Sequence, residues 1–382
     1  MKNLKTGLGL YLHIPFCKRR CRYCAFVSNA RRPLPEAAYA AALLREMEAR
    51  AGALASAPLA SIYFGGGTPS LFSPATIGRL IEAARSCFRV RREVEVTLEA
   101  NPESLTPSHL ARLRERGINR LSLGVQTFSE EQLERLGRIH SAAQARTAAR
   151  QARAAGFDQL SLDLIFALPG QTLAELEADL DQALALEPDH LSVYELTWEK
   201  NTELDRDREQ GKLEPADEEL AAEMFLLVAE KLEAAGLFRY EVSNFSRPGF
   251  ECRHNQSGWK LEPYLGLGAA AHSLLRSGER QANLAGVNHY LNQVGKTGRA
   301  VAASEAPDLE RLRREFILLG LRTSAGISPA EYRKKFGEDL LAGKAESLRS
   351  LQALKIIERK NGRLRLTRKG FLLADAVVLE LV

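Results

Sequence analysis

Three cysteines near the start of the sequence constrain this chain more than any other feature. Cys17, Cys21 and Cys24 have the spacing C-x3-C-x2-C and follow directly on the apolar run LGLYLHIPF. Thiolate is the usual protein ligand of iron–sulfur clusters, so three thiolates this close together can hold three irons of a cuboidal cluster. The fourth iron of such a cluster would be open to another ligand.

An open iron beside the sulfonium of S-adenosylmethionine (SAM) is a known way to start radical chemistry. The spacing alone also allows a partial zinc site, although structural zinc usually needs four ligands. The nearest imidazole, His13, precedes the cysteines in a predicted strand. The cysteines could also be neighbours that share no ligand. A disulfide framework is not expected in a long chain with five cysteines.

Length and composition indicate a globular chain with more than one domain. Its 382 residues, 45% hydrophobic and 26% charged, can bury a substantial core. No apolar run approaches the roughly 18 residues of a membrane helix, and no signal-peptide segment precedes the first predicted strand. We therefore expect a cytoplasmic protein without a transmembrane segment, in a compartment whose reduced thiols suit a cluster.

Strands and helices alternate along the first half of the chain. Period-two patterns predict strands in LGLYLHIPF, SIYF, VEVTLEA, RLSLGVQ, QLSLDLIF and HLSVYE, with helical patterns between them. This rhythm favours a parallel sheet with crossover helices, and six such strands form most of a barrel. We predict a charged, turn-rich connection over 201–219 and irregular backbone over 240–273 and 274–305.

The predicted strands have an apolar face and a small or polar face. Leucines and valines alternate with Glu99, with Ser122 and Gln126, and with Asp163. A barrel packed only for stability has bulky branched residues inside. We therefore predict a cavity near the carboxyl ends of the strands, lined by Glu99, Gln126 and Asp163. Taken singly, each of these side chains could be a satisfied structural polar group.

The segment HIPFCKRRCRYCAF resembles the cluster loop of the HemN/HemW group of radical SAM proteins, and the resemblance extends through most of the chain. It implies an α/β fold, a partial (β/α)6 radical SAM barrel with a small winged-helix-like C-terminal domain. It also implies a [4Fe–4S] cluster on the three cysteines, with SAM at the open iron. By the same resemblance, the residues around SAM are Tyr11, Gly66, Gly67, Thr68, Glu99, Gln126, Arg138 and Asp163.

These residue types suit the cofactor chemically. Carboxylates can accept hydrogen bonds from the amine and ribose hydroxyls of SAM, and Arg138 can pair with its methionyl carboxylate. The glycines of the GGGTP loop let backbone amides approach a ligand closely. Arg138 lies in the loop LGRIHSA and could instead be a surface residue.

Within this group the chain resembles the HemW branch, whose members are regarded as heme chaperones. Phe26 replaces a further cysteine of the coproporphyrinogen oxidase branch, and the chain begins ten residues before Tyr11, without that oxidase's longer N-terminal segment. HNQSGW is similar to the HNxxYW motif of the HemW branch, with Gly258 in place of tyrosine. The resemblance implies heme as a ligand, with His254 as the axial ligand, since a neutral imidazole suits iron. His254 could also be a structural histidine tied to the backbone.

We expect this chaperone to pass heme to an acceptor protein not yet identified, with membrane-associated respiratory proteins among the candidates. The alternative is an oxygen-independent coproporphyrinogen III oxidase, which would decarboxylate its substrate with a SAM-derived radical. Oxidase activity is not expected. Functional groups other than His254 are also concentrated in 240–273, namely Trp259, Tyr264 and His272. Cys87 and Cys252 are expected to be free or buried thiols.

Three domains are expected: a radical SAM core barrel over 1–240, a HemW-type extension over 241–305 and a winged-helix-like domain over 306–382. Asn361-Gly362 between two short strands predicts a hairpin in the last of these. Residues 309–382 contain 16 Lys and Arg against 9 Asp and Glu, a net charge of +7 in a chain of net +5. Such an excess is usually a solvated face, so nucleic-acid binding is not expected.

Overall fold

Six parallel strands alternate with helices between residues 8 and 195. The computed structural model describes residues 7–30, 33–54, 58–342 and 344–382. Each strand pairs in parallel with the next, which confirms the predicted partial (β/α)6 barrel. The strands are β1 (Leu8–Ile14), β2 (Leu59–Gly66), β3 (Val90–Ala100), β4 (Arg120–Gln126), β5 (Gln159–Phe166) and β6 (His190–Glu195). The helices are α1 (Glu36–Arg50), α2 (Pro74–Cys87), α3 (Pro107–Glu115), α4 (Glu130–Arg135), α5 (Ala142–Ala154) and α6 (Leu173–Leu184).

Local sequence determines where five of these helices begin. A Ser or Thr precedes each of α2 to α6, and its side chain accepts a hydrogen bond from the N–H three residues later. Such a cap satisfies a donor that has no partner inside the helix. The capping residues are Ser73, Thr106, Ser129, Ser141 and Thr172. These capping residues therefore define where each preceding loop ends and the next helix begins.

The two faces of each strand separate as the alternation predicts. The apolar faces of β3, β4 and β5 are fully buried in one core with the covering helices, as Leu98, Leu123 and Leu162 show. The opposite faces point into the barrel, where Gln126 and Asp163 line a cavity. The interior is therefore not filled by bulky branched side chains, unlike a barrel packed only for stability.

After β6 the chain extends this sheet at both ends. Its helices are α7 (Glu203–Glu209), α8 (Glu218–Ala234), α9 (Arg253–Trp259) and α10 (Val287–Thr297). Its strands are β7 (Phe238–Arg239), β8 (Asn244–Ser246), β9 (Tyr264–Leu267), β10 (His272–Leu274), β11 (Arg280–Asn283) and β12 (Val301–Glu305). β8 pairs antiparallel with β6, and β9 pairs in parallel with β1. The strand order is β12-β11-β10-β9-β1-β2-β3-β4-β5-β6-β8-β7.

The predictions of turn-rich backbone over 201–219 and irregular backbone over 240–305 are therefore wrong in part. Helix α7 occupies the middle of the first segment, and α9, α10 and five strands occupy the second. β8 and β9 were missed because they pair with the distant strands β6 and β1, which a local pattern does not reveal. β10, β11 and β12 are short strands that pair with their neighbours in sequence. Helix α10 buries Val287, Tyr290 and Val294, whose spacing is helical.

Glu46 of α1 connects the strands added after β6 to the barrel through hydrogen bonds. This carboxylate of α1 is fully buried and accepts hydrogen bonds from the Gly268 N–H (2.9 Å), the Asn283 amide (2.7 Å) and the Tyr290 hydroxyl (2.8 Å). Arg50, one turn later, lies 3.5 Å away and completes an ion pair. Burial raises the pKa of Glu46 despite these partners. One side chain thus joins α1, β11, α10 and the loop after β9.

The C-terminal residues form a second hydrophobic core. Its elements are α11 (Leu309–Leu321), α12 (Pro329–Phe336), α13 (Ala345–Ala353), β13 (Ile357–Lys360), β14 (Arg363–Leu366), α14 (Arg368–Leu372) and α15 (Ala374–Leu381). β13 and β14 form the predicted hairpin, with positive φ angles of 51° at Asn361 and 73° at Gly362. The buried Arg239 guanidinium joins the two cores, because it packs on Phe225 and Phe245 of one side and Phe371 of the other.

Many charges of the C-terminal part are paired, most of them within it. Arginines 311, 313, 314, 322, 333, 363 and 365 form ion pairs with carboxylates of the C-terminal part, and Arg368 pairs with Glu233 of α8. Much of the positive excess therefore already has counter-charges. Within the described ranges, no helix is both long and apolar enough to cross a membrane.

We expect Glu46→Ala to lower the free energy of unfolding by about 3–5 kcal/mol, because it leaves buried donors and the Arg50 charge without their partner. Denaturant titration followed by circular dichroism measures the change. Glu48→Ala is the matched control: Glu48 is exposed on the same helix, and its loss should cost less than about 0.5 kcal/mol. Equal stabilities of the two variants would contradict the role assigned to Glu46.

Candidate functional site

The cysteines lie on the loop that follows β1, at the carboxyl end of the barrel. Main-chain hydrogen bonds hold this loop, from Cys17 N–H to Asn29 O (3.1 Å) and from Thr68 N–H to Phe16 O (2.7 Å). All three cysteines line a cavity of about 420 Å³, which we call the cysteine cavity. The loop after β2 forms the adjacent wall of the same cavity.

The three thiols are half-buried, and two of them accept hydrogen bonds from side chains. The Thr68 hydroxyl donates to Cys17 Sγ (3.6 Å), and Arg138 Nη1 donates to Cys21 Sγ (3.3 Å). Burial raises the pKa of Cys17 and of Cys24, so binding iron as thiolates requires loss of these protons.

The three thiols line one cavity, so they can act together as a donor set. Three thiolates suit a [4Fe–4S] cluster, because each can bind a different iron. A structural zinc ion usually has four protein ligands.

The glycines of the GGGTP loop permit the close approach of β2 to the cysteine loop. A Cβ at Gly67 would lie 2.7 Å from Phe16 O and 3.0 Å from Cys17 Sγ, and a Cβ at Gly66 would lie 2.5 Å from the His13 ring. Gly66 also has a φ of +114°, which L side chains rarely adopt. The Gly66 and Gly67 amides donate to Glu99 and to Ile14 O, so these N–H groups are occupied within the protein.

Two half-buried carboxylates line the cysteine cavity. Glu99 accepts hydrogen bonds from the Tyr63 hydroxyl (2.8 Å) and the Gly66 N–H (3.1 Å). Burial, with a smaller contribution from the negative charge of Asp163, raises the pKa of Glu99 to about 7. Burial also raises the pKa of Asp163, which accepts from the Ser122 hydroxyl at 3.0 Å. Carboxylates placed in this way can accept from an ammonium group or from hydroxyls.

Arg138 is half-buried and lines the cysteine cavity. Its Nη2 donates to Asn101 Oδ1 (2.7 Å) and to Gly124 O (2.8 Å), which fixes the guanidinium near Cys21. Gln126 lines the same cavity with a φ of 71°. A non-glycine residue in this region is strained, and such strain clusters at functional sites.

The structure therefore brings together most of the site residues named from the sequence. The cysteine cavity is lined by Cys17, Cys21, Cys24, Gly66, Gly67, Thr68, Glu99, Gln126, Arg138 and Asp163. Tyr11 and His254 line a different cavity, of about 720 Å³, which we call the histidine cavity. Tyr194 of β6 lines both cavities, so they adjoin.

The histidine cavity lies where the barrel is open. Residues of β1 and β9 line one side of it, Tyr194 and the segment 241–244 line the other, and α9 covers it. Its walls include Tyr11, Trp259, Tyr264 and His272. Gly258 also lines this cavity, and a Cβ at this position would have no neighbour within 4 Å. The aromatic residues noted in 240–273 thus share one pocket, while Cys252 is buried beside Glu95.

His254 is held in this cavity as a neutral ring. Burial lowers the pKa of His254 to about 4, so its imidazole is uncharged at neutral pH. The ring stacks on Tyr63 with centroids 4.6 Å apart, and Nδ1 lies 3.3 Å from the Ser61 hydroxyl. No hydrogen bond to Nε2 is found among the described residues. This nitrogen can therefore act as a ligand to a metal.

Sequence reasoning missed Ser61, Tyr63, Asn101 and Tyr194. Tyr63 contacts both Glu99 and His254, and Asn101 joins Arg138 to the Thr68 hydroxyl. Ser61 and Tyr63 alternate with Ile62 and Phe64 on β2, so the pattern that identified Glu99 on β3 was available for them too.

Similarity to known proteins agrees with this geometry. A partial (β/α)6 barrel with three cysteines after β1 and a glycine loop after β2 defines a radical SAM protein, and the Radical SAM superfamily matches residues 11–183. The HemN C-terminal domain matches residues 308–373. The chain belongs to the HemW family of radical SAM proteins, as near full-length similarity shows. Family membership implies a [4Fe–4S] cluster and SAM as cofactors.

Three comparisons illustrate this similarity. "Heme chaperone HemW" of Bacillus subtilis is 36% identical over 96% of this chain and 97% of the relative. "Heme chaperone HemW" of Escherichia coli is 38% identical over 69% of each chain. The solved structure of HemN from Escherichia coli, a coproporphyrinogen III oxidase and radical SAM enzyme, has a TM-score of 0.84 at 25% identity over 98% of this chain and 90% of that chain.

We expect anaerobically reconstituted protein to contain about four irons and four sulfides per chain, from the composition of such a cluster. Changing Cys17, Cys21 or Cys24 to Ala should remove most of them, as measured by iron and sulfide analysis and visible absorbance. Cys87→Ala is the matched control, because Cys87 ends α2 at the opposite end of the barrel. Tightly bound zinc without iron-dependent absorbance would contradict the cluster assignment.

We expect SAM affinity to depend on pH through Glu99. With a pKa of about 7, Glu99 is ionised at pH 8 and protonated at pH 6, so its ability to pair with the SAM ammonium is lost as pH falls. Affinity should fall by up to about tenfold per pH unit below 7. Anaerobic titration of the cluster protein with SAM measures this. Glu99→Gln should bind more weakly and without this pH dependence; a flat profile for the parent between pH 6 and 8 would contradict it.

Proposed function

We propose that this chain is a heme chaperone that binds heme in the histidine cavity and passes it to an acceptor protein. The observation that carries the proposal is His254, a neutral imidazole with an unengaged Nε2 in an aromatic cavity. The similarity to proteins named heme chaperone HemW over nearly the whole chain supports it.

The residues of the histidine cavity suit heme. Its volume of about 720 Å³ lies within the roughly 300–1,000 Å³ of ligand pockets. A flat, apolar macrocycle would contact the rings of Tyr11, Trp259 and Tyr264, and His254 would supply the axial nitrogen. The Ser61 hydroxyl beside Nδ1 orients the ring and favours Nε2 as the ligand.

The cysteine cavity has a separate role beside this heme site. Its cysteines would hold the cluster, its carboxylates the amine and hydroxyls of SAM, and Arg138 the methionyl carboxylate. The bound cluster and SAM supply one-electron and radical chemistry. Since Tyr63 contacts both Glu99 and His254, occupancy of the cysteine cavity affects the residue on which the His254 ring stacks. We propose that the state of the cysteine cavity controls heme transfer in this way.

We describe the heme acceptor by the chemistry that it must perform. It is a protein that takes heme from a cavity open to solvent, and we place the exchange in the cytoplasm, where thiols stay reduced for the cluster. Membrane-associated respiratory proteins are candidate acceptors.

The alternative function is an oxygen-independent coproporphyrinogen III oxidase. The similarity to HemN and the two half-buried carboxylates of the cysteine cavity favour it. Against it, the sequence identity to HemW proteins is higher than to HemN, and Phe26 replaces the further cysteine of the oxidase branch. Phe26 lines the cysteine cavity and is 70% exposed.

We expect purified protein to bind one heme per chain with a histidine-ligated absorbance spectrum, and to convert no coproporphyrinogen III under reducing, anaerobic conditions with SAM. His254→Ala should lose that spectrum and weaken heme binding by more than about tenfold. His289→Ala, an exposed histidine of α10, is the matched control and should behave like the parent.

Two results would overturn this proposal. Harderoporphyrinogen or protoporphyrinogen IX in the anaerobic assay would establish the oxidase instead. A His254→Ala protein that binds heme with the parental affinity and spectrum would remove His254 as the ligand.

A further inference from the structure

We propose that Glu95 of β3 is a positioning residue for the heme ligand, acting through the first turn of α9 on which His254 lies. The inference rests on the proposed heme site and adds a residue distant in sequence from the histidine it controls. Glu95 has only 4% of its surface exposed and does not line the histidine cavity, so it acts on heme only through His254.

The Glu95 carboxylate occupies the amino end of α9. Oε1 accepts from the His254 N–H (3.2 Å) and from Cys252 Sγ (3.5 Å), and Oε2 accepts from the Arg253 N–H (2.9 Å). The residue at the cap position, Cys252, makes no capping hydrogen bond of its own. A carboxylate from another strand thus satisfies the donors that a Ser or Thr cap would satisfy.

Apart from the Glu95 contacts, helix α9 is held by the Arg253 guanidinium, which donates to Glu93 O, and by the contacts of the His254 ring. It has seven residues, and none of them is fully buried. A helix this short is marginal by itself, so tertiary contacts determine where it lies. A negative charge at its amino end is also favourable to the helix dipole. Glu95 therefore determines where the His254 backbone lies, while Ser61 and Tyr63 orient its ring.

A buried cation of the neighbouring strand interacts electrostatically with Glu95. Arg120 of β4 is 2% exposed; burial lowers its pKa, but interactions with groups that include the Glu95 carboxylate more than offset this and raise the pKa, so Arg120 stays positively charged. A buried carboxylate with a cationic neighbour and three donors is a rigid anchor. A side chain of the barrel strand β3, Glu95, thus helps to determine the geometry of the proposed heme site, whose ligand lies on a helix outside the barrel.

The test compares heme binding by Glu95→Ala and Glu95→Gln with that of the parent. We expect affinity to fall by about 10- to 100-fold in Glu95→Ala, as for the loss of other residues that orient a metal ligand. Resonance Raman and paramagnetic resonance spectra should shift from the parental form towards that of His254→Ala. Glu95→Gln, which keeps one acceptor oxygen, should fall between. Glu93→Gln, on the exposed part of the same strand, should match the parent.

An imidazole-rescue experiment separates positioning from general damage to the fold. His254→Gly protein supplied with free imidazole has a ligand that α9 does not carry. Adding Glu95→Ala to this variant should leave heme-plus-imidazole affinity unchanged, with parental circular dichroism and cluster iron. A further loss of affinity in the double variant would overturn the inference, because Glu95 would then shape the cavity itself.

The remaining outcomes are also decisive. If the parent binds heme, His254→Ala loses it and Glu95→Ala retains parental affinity and spectrum, the inference alone fails. If the parent does not bind heme, the proposed function fails and the inference fails with it.

Discussion

The close approach of two backbone segments at Gly67 is the contact on which both cavities depend. Here the loop after β2 donates to Ile14 O and Phe16 O, and any side chain at position 67 would collide with Phe16 and Cys17. This contact fixes the cysteine loop against the strand that also holds Ser61 and Tyr63. The cysteine loop and His254 therefore both contact β2 or the loop after it, although Cys24 and His254 lie 230 positions apart in the sequence.

The two cavities share walls. Tyr63 donates to Glu99 on one side and stacks on His254 on the other, and Tyr194 lines both spaces. This is possible because the barrel is open between β1 and β6. There β9 and β8 extend the sheet, and the histidine cavity lies beside the lumen.

Much of the barrel and its inner-face polar residues could be predicted from the sequence, because both follow from local periodicity. Alternation on β3, β4 and β5 placed Glu99, Gln126 and Asp163 on the inner face, where the structure has them. The family resemblance named Tyr11 as a residue around SAM, whereas in the structure Tyr11 lines the adjoining histidine cavity. The pairing of β9 with β1 and the capping of α9 by Glu95 join residues more than 150 positions apart, so no local pattern contains them.

The histidine cavity takes its walls from distant parts of the chain, from Gly9 on β1 to Leu319 on α11, whereas the cysteine cavity is complete by Glu199. Protein chains are made from the amino end, and earlier domains fold first during synthesis. The ribosome therefore releases the last wall residue of the cysteine cavity more than a hundred residues before the last wall residue of the histidine cavity. A growing chain can complete the cysteine cavity while the histidine cavity still lacks its walls from α9 and α11.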